Sequence, residues 1–321
     1  MGAQQKYFAV SIDTERDHGP RWRVTVPPRF RSVTEAVPHR LQPLFERFGV
    51  RPTYLLTTEV LSNQDCRQVF AALEGKVELG THLHMETSLV DGYGEQPKRV
   101  NLDFSGLCPQ GDERAALQTI SDLFRKAFGR SATSFRAGRY GATAQTLGIL
   151  KELGYLVDTS VTPGIRWRNY QGTVDFREAP LLPYWPNLST KIAEAASETQ
   201  GILEIPVSIV LDRLSWKWPF LNYPVWLRPS HSSPRNMIRV LDLIEAEAAN
   251  ADRPVVANMM FHSMELFAGA SPYSATDRDV QRYLDDLSFV FEVASERGYE
   301  FLGLTEIHHR VNQASSLKQS A

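Results

Sequence analysis

Cysteine is scarce in this 321-residue chain, which contains only Cys66 and Cys108. They form no C-x-x-C pair, and we interpret them as two free thiols in a reducing compartment, in preference to a single disulfide. The N-terminal sequence MGAQQKYFAVSID lacks the charged start and long apolar segment of a secretory signal. The sequence therefore predicts a cytoplasmic protein.

Strong net charge and long apolar runs are also lacking. The chain has 35 basic and 37 acidic residues, for a formal net charge of -2, which gives no general attraction to nucleic acid or to anionic lipid. No apolar stretch is long enough to cross a membrane. We therefore expect no nucleic-acid partner and no transmembrane segment, while the sequence leaves the formation of a homo-oligomer open.

The pattern that is present is an alternation of strands and helices. Apolar and β-rich runs predict strands at 6–13, 53–58, 76–82, 133–138, 155–160, 202–210, 254–262 and 299–307. Helical spacing predicts helices at 37–50, 65–74, 112–128, 142–154, 233–250 and 276–298. Repeated β/α units predict a parallel sheet, either open or closed into a barrel. Because no linker or shift in composition divides the chain, we expect one domain over 1–311 and a polar tail over 312–321.

Polar and titratable side chains follow several of the predicted strands. They are Asp13 and Glu15, His82 and His84, Arg136, Asp158, and His262. A lone aspartate or histidine at such a position often only caps a helix or bonds a loop. Because chemistry in a β/α barrel occurs at the carboxyl ends of the strands, their joint placement predicts a functional site at that end.

The segment GTHLHMET, 80–87, carries a metal-binding pattern. On an extended backbone His82 and His84 share a face, because they are two residues apart. If the chain turns helical after His82, that residue shares a face with Glu86 instead. Asp13 and Glu15 are also two apart, so two nitrogens and one carboxylate oxygen can meet. That is the donor set of an open catalytic zinc site.

Four segments, taken together, resemble the motifs of the polysaccharide deacetylase superfamily. In chain order they are SIDTE, ELGTHLHME, FRAGRYG and MMFHSMEL, and they span 11–266. The resemblance implies an α/β fold, a distorted, TIM-like (β/α)7 barrel with long loops on its C-terminal rim. It also implies a metal-dependent carbohydrate deacetylase, with Zn²⁺ as the expected ion, that removes an N-acetyl group from an amino sugar of a polysaccharide or its precursor.

The first two motifs imply the general base and the metal ligands. The family usually has two adjacent acids, whereas one residue separates them here, and the resemblance gives the base role to Asp13 and a ligand role to Glu15. His82 matches the first of two metal-binding histidines. Glu86 stands where the second is usual, so the third ligand is His84 or Glu86.

The other two motifs imply the remaining catalytic roles. Arg136 matches an arginine that orients the base. Tyr140 matches a tyrosine whose backbone N–H helps to hold the oxyanion, although RAGRY is one residue longer than the usual form. His262 matches the histidine that acts as general acid, and Asp158 matches the acid that orients it.

Aromatic residues in the predicted loops offer a surface for sugar rings. All six tryptophans fall in such loops, and Trp167 and Trp185 are the better candidates for a platform that binds saccharide. The alternative is that these rings form small apolar clusters that keep the long loops ordered.

Two other functions stay open. A hydrolase of another C–N bond, in a sugar formamide, a cyclic amide or a ureide, would have a similar site. A barrel that binds saccharide without catalysis would accommodate the altered first and second motifs, but it has no physical need for Asp13, Arg136 and His262 together.

Overall fold

The computed structural model describes residues 4–23, 26–85, 103–188, 201–213 and 222–319. The strands are β1 Lys6–Thr14, β2 Thr53–Leu56, β3 Glu78–Leu83, β4 Ser134–Ala137, β5 Val157–Asp158, β6 Arg166–Asn169, β7 Gly172–Asp175, β8 Leu203–Glu204, β9 Ile209–Arg213, β10 Asn222–Trp226, β11 Val255–His262 and β12 Glu300–Phe301. The helices are α1 Ser32–Leu41, α2 Gln42–Phe48, α3 Thr58–Ser62, α4 Gln64–Ala72, α5 Gln110–Phe128, α6 Ala144–Glu152, α7 Pro234–Asn250, α8 Asp277–Glu296 and α9 Leu304–Gln319.

The main sheet is parallel and curled, with the strand order β11-β1-β2-β3-β4-β5-β8, and β12 also pairs with β1. Hydrogen bonds from the segment after β8 reach β11: Ser208 N–H donates to Asn258 O at 3.0 Å, and Asn258 Nδ2 donates to Ile205 O at 3.2 Å. Two antiparallel hairpins, β6–β7 and β9–β10, are inserted after β5 and β8. This is the distorted (β/α)7 barrel that the sequence predicts.

The register of the sheet aligns polar residues at its carboxyl end. Asp13 lies opposite His262 across β1 and β11, and His82 lies opposite Arg136 across β3 and β4. Strands β1 and β11 are buried along almost their whole length, as expected for a parallel sheet that is covered on both faces. These polar side chains therefore do not belong to a solvated face of the sheet.

The largest apolar core lies between the sheet and the surrounding helices. Phe291 of α8 packs against Phe8 of β1 with ring centroids 6.1 Å apart, and it contacts Phe45 of α2 at the same spacing. All three rings are fully buried, and burial of such a side chain contributes about 1.5–3 kcal/mol. These contacts fix two helices against the strand that carries Asp13.

Helix α1 begins earlier than apolar spacing predicts. The backbone N–H groups of Arg31 and Ser32 donate to the carboxylate of Asp17 at 2.8 and 3.0 Å. Pro38, which has no N–H, lies inside the helix, and the segment is π-helical. An acid in the loop after β1 thus provides hydrogen-bond acceptors for the start of the first helix.

Helix α9 extends through most of the segment predicted as a polar tail. Thr305 donates its N–H and its hydroxyl to Glu78 at 2.9 and 2.8 Å, and Ile307 and Val311 are buried. The start of the helix is therefore anchored by a buried acid, and its apolar face is packed. Within the described ranges, no helix is long and apolar enough to span a lipid bilayer.

Candidate active site

A cavity of about 600 Å³ opens at the carboxyl end of the sheet. Asp13 and Glu15 line it from the end of β1, His82 from β3 and His262 from β11. Tyr140 lines it from the turn after β4. Side chains from four separate segments of the chain therefore meet in one cavity.

Three of the side chains that line the cavity form a compact donor set. Glu15 Oε1 lies 3.2 Å from His82 Nε2 and 3.3 Å from His84 Nε2, and the two nitrogens are 3.0 Å apart. His82 Nδ1 lies 3.0 Å from the backbone oxygen of Arg136, which can only accept a hydrogen bond. In neutral His82, Nδ1 therefore carries the proton, and the lone pair of Nε2 faces the carboxylate.

The carboxylate oxygen and the two Nε2 atoms lie close enough together to hold one metal ion. Two imidazole nitrogens and one carboxylate oxygen are the ligands of an open catalytic zinc site. Burial acts to raise the pKa of Glu15, but the neighbouring His84 and His82 outweigh it and hold that pKa well below its usual range. The carboxylate is therefore ionised, as a ligand must be.

The two alternatives for the third ligand differ in what the structure describes. Glu86 lies outside the described residues, whereas His84 lies at the donor set. Gly138 makes room for His84, because a Cβ on this glycine would lie 2.8 Å from His84 Nδ1 and 2.8 Å from Leu83 O. Gly138 of FRAGRYG therefore leaves the space that His84 of GTHLH occupies.

Asp13 and Arg136 form a buried ion pair beside the donor set. Arg136 Nη1 donates to Asp13 Oδ1 at 2.6 Å, while Nη2 donates to Ser11 Oγ at 2.6 Å. The guanidinium is fully buried, and such a charge is stable only when it is paired and hydrogen-bonded. Burial acts to raise the pKa of Asp13, but Arg136 and the neighbouring histidines outweigh it and hold that pKa below its usual value.

His262 contacts a different acid from the one predicted. Its Nδ1 lies 2.9 Å from Glu265 Oε1, and Glu265 also accepts hydrogen bonds from Arg228 Nη2 and from Tyr283 OH. Burial acts to raise the pKa of Glu265, but Arg228 and His262 outweigh it and hold that pKa well below its usual range. His262 therefore faces an ionised carboxylate that a buried arginine neutralises.

The prediction that Asp158 orients His262 is wrong. Asp158 is buried, and it accepts a hydrogen bond from Ser160 Oγ at 2.6 Å and contacts Glu204. Burial raises the pKa of Asp158, and it raises that of Glu204 well above its usual value. The two carboxyl groups contact each other at the β5–β8 edge of the sheet, a region separate from the contacts of His262.

The two tryptophans predicted to bind saccharide have different environments. Trp167 lines the cavity and stacks on Tyr140, with ring centroids 5.5 Å apart and an interplanar angle of 19°. Trp185 is buried in an apolar cluster that also contains Leu203 of β8 and Ile307 of α9. The prediction for Trp185 is therefore wrong, because another element covers its ring.

Tyr140 lies in the tight turn Gly138–Tyr140, and both it and Arg139 have a left-handed backbone, with φ of 58° and 50°. This conformation is uncommon for side chains other than glycine. The hydroxyl of Tyr140 donates to Met260 Sδ at 3.2 Å. The turn follows the strand end that carries Arg136, and Tyr140 lines the cavity.

Sequence reasoning missed several residues of the site. Glu265 lies three residues after His262 in MMFHSMEL, so a capping pattern of that spacing was visible. Arg228, Trp22 and Tyr273 also line the cavity. Arg228 had no signal in the sequence, because only the fold brings the segment after β10 next to β11.

No family model matches the amino-acid sequence, and a search of curated proteins finds no significant match. The structure, in contrast, resembles solved structures over nearly its whole length.

One of these is described as a polysaccharide deacetylase from Mycobacterium smegmatis, at 13% identity, a TM-score of 0.56, and coverage of 98% of this chain and 93% of that chain. Another is described as a polysaccharide deacetylase from Pseudomonas aeruginosa PAO1, at 14% identity, a TM-score of 0.56, and coverage of 95% and 89%. This chain has the polysaccharide deacetylase fold. A structure described as Puue allantoinase has a similar fold, at 15% identity and a TM-score of 0.55. The match covers 95% of this chain and 89% of that chain.

Proposed function

We propose that this protein is a metal-dependent hydrolase that removes an N-acetyl group from an amino sugar of a polysaccharide or its precursor. The observation that carries the proposal is the donor set of Glu15, His82 and His84, beside Asp13 and His262 in one cavity. We propose Zn²⁺ as the ion, because the donor set has the composition of an open catalytic zinc site. When bound, such an ion supplies positive charge that polarises an amide carbonyl and makes a water molecule more acidic.

Asp13 has the surroundings of a general base. Arg136 holds one carboxylate oxygen, Oδ1, while Oδ2 lies 3.8 Å from His82 Nε2 and 3.9 Å from His262 Nε2. One oxygen is therefore fixed, and the other faces the donor set, where it can accept a proton from a water molecule. The guanidinium of Arg136 keeps the carboxylate ionised for this role.

His262 has the surroundings of a general acid. Its Nε2 lies 3.9 Å from Asp13 Oδ2 and from Glu15 Oε1, at the cavity, while Glu265 holds Nδ1. A proton on Nε2 can pass to the nitrogen of the leaving amine as the C–N bond breaks. We assign Glu265 and Arg228 as positioning residues, because they fix the ring of His262 and do not contact the donor set.

Tyr140 and Trp167 complete the proposed site. We assign the backbone N–H of Tyr140 to the developing oxyanion, since a fixed N–H dipole at that point stabilises the transition state more than the substrate. Trp167 is stacked on Tyr140 and presents an aromatic surface to the cavity. It is a candidate to bind the apolar face of a sugar ring.

The second candidate function is hydrolysis of another C–N bond. The similarity of the fold to an allantoinase favours it, because the same catalytic groups would open a cyclic ureide. The walls of the cavity, and not the donor set, would distinguish the two substrates.

The test is acetate release from N-acetylglucosamine and its short oligomers by the protein supplied with zinc. We expect acetate from the wild type and a fall in kcat of about 100-fold or more in His262→Ala with the fold intact. Ring opening of allantoin without acetate release would establish the second candidate. Bound metal without turnover of any amide would favour a saccharide-binding barrel.

We propose the cytoplasm as the compartment. Cys66 and Cys108 are both buried as free thiols, which is typical of proteins from a reducing environment.

A further inference from the structure

A chain of aromatic rings forms one side of the cavity. Neighbouring ring centroids are 5.7 Å apart for Trp22 and Tyr273, 5.5 Å for Tyr273 and His231, 5.3 Å for His231 and Trp226, and 6.1 Å for Trp226 and Tyr140. We call these five residues the aromatic wall. The wall is continuous from Tyr140, beside the end of β4, to Trp22, in the loop after β1.

Trp22 differs from a ring that only fills space. Its side chain is 43% exposed, so a large part of the indole faces water. Its backbone is left-handed, with φ of 53°, which is unfavourable for a bulky residue. A turn holds this conformation, in which Gly19 N–H donates to Arg23 O at 2.9 Å and Trp22 N–H donates to Gly19 O at 3.0 Å. The turn therefore holds the indole at the cavity, although exposure of the ring to water and a left-handed backbone are both unfavourable.

The position of Trp22 relative to His262 indicates what it contacts. The two ring centroids are 5.7 Å apart. If His262 protonates the leaving nitrogen, the ring that bears this nitrogen must lie next to His262. Trp22 is the residue of the aromatic wall in ring contact with that histidine.

We propose that Trp22 is a specificity-determining residue that stacks on the sugar ring of the leaving amine. The inference rests on the proposed function, because it uses His262 as the group that faces the amine. A pyranose ring presents C–H groups on one face, and an indole is the largest aromatic surface that a protein offers to such a face. Trp22 therefore selects amides in which the nitrogen is attached to a ring.

The test compares two amides that differ in the group on nitrogen. N-acetylglucosamine carries the sugar ring, and N-acetylethanolamine carries the same acetyl group without a ring. We expect the ratio of their kcat/KM values to fall by about tenfold or more in Trp22→Leu, which keeps apolar bulk but has no aromatic face. Trp22→Phe should retain most of the ratio. Tyr170→Ala is the matched control, because this exposed aromatic residue lies on the β6–β7 hairpin and does not line the cavity; it should leave the ratio unchanged.

Binding of glucosamine, measured by calorimetry, separates this inference from the proposed function. Weaker binding to Trp22→Leu than to the wild type, with Trp22→Phe in between, supports the stacking contact even if no amide is hydrolysed. An unchanged ratio of kcat/KM in Trp22→Leu, or equal affinity of both proteins for glucosamine, would overturn the inference. If glucosamine shows this pattern of binding but no acetate is released, the proposed function is rejected and the inference about Trp22 is retained.

Discussion

Two pairs of buried carboxyl groups lie in the same barrel, and their pKa values are shifted in opposite directions. Asp13 and Glu265 are buried at the candidate site, and their pKa values are lowered despite burial. Asp158 and Glu204 are buried at the β5–β8 edge, and burial raises their pKa values. Burial alone therefore does not determine whether an acid in this protein carries charge.

The two pairs of carboxyl groups differ in the side chains that contact them. Arg136 donates to Asp13 and Arg228 donates to Glu265, so each ionised acid has a cation in direct contact. Asp158 and Glu204 contact each other and receive hydrogen bonds from Ser160 Oγ and a backbone N–H. Among the described residues, the buried arginines Arg136 and Arg228 thus lie beside Asp13 and Glu265, and an arginine in contact favours the ionised form of a buried acid.

The largest difference between the pairs is expected in catalysis. Asp13→Asn should lower kcat by about 100-fold or more, because the variant cannot accept a proton. Asp158→Asn should keep kcat within a few-fold of the wild type, since the side chain of Asp158 contacts Ser160 and Glu204 and not His262. Steady-state kinetics, with circular dichroism to confirm folding, makes the comparison. A similar loss of kcat in both variants would mean that Asp158 takes part in the reaction.

A smaller effect is expected from the partner of His262. Glu265→Gln leaves Arg228 without its counter-charge and removes the carboxylate that holds the imidazole, so kcat should fall roughly 10- to 100-fold. Glu113→Gln is the control, because Glu113 is a buried acid bonded to Thr146 away from the cavity. If the two variants have the same kcat, Glu265 does not position His262.

The smallest effect concerns stability and pH. In the unfolded chain Glu204 loses its proton near its ordinary pKa of 4.5, whereas burial makes the folded protein keep it to higher pH. This contribution to stability is full below pH 4.5 and is lost as the pH rises towards the raised pKa. The Glu204→Gln variant has no carboxyl group to titrate at this position. Its free energy of unfolding relative to that of the wild type should therefore increase with pH.

The expected gain in the free energy of unfolding of Glu204→Gln is about 1.4 kcal/mol for each unit by which the pKa of Glu204 is raised, or roughly 2–4 °C in Tm. Thermal melts of both proteins between pH 4 and pH 8 measure it. Glu300→Gln, at an exposed carboxyl group, is the control and should show a constant difference. A Glu204→Gln variant that loses stability as the pH rises would show that the pair is ionised.

The strand and helix pattern of the sequence predicts the parallel sheet and many of the residues that line the cavity for a simple reason. Apolar strands that end in polar residues are a local pattern, and the carboxyl ends of parallel strands meet. Asp13, His82, Arg136 and His262 were named in this way, and their strands pair in register. Apart from Glu265, which lies three residues after His262, non-local contacts account for what sequence reasoning missed.

Two corrections illustrate those non-local contacts. Asp158 was assigned to His262 by resemblance, but its side chain turns towards Ser160 and Glu204. Trp185 was assigned to the cavity because it falls in a loop, but α9 helps to bury it. Spacing along the chain reveals neither the partner of a buried acid, as for Asp158, nor the element that covers a loop residue, as for Trp185.

The most direct test of the central claim is the metal content of the purified protein. The protein is incubated with zinc, excess ion is removed, and zinc is measured by elemental analysis for the wild type, His82→Ala and His309→Ala. His309 is exposed on α9, outside the cavity, and serves as the control. We predict about one zinc ion per chain in the wild type and in His309→Ala, and almost none in His82→Ala. No bound ion in the wild type, or an equal content in all three proteins, would contradict the assignment of Glu15, His82 and His84 as a metal site.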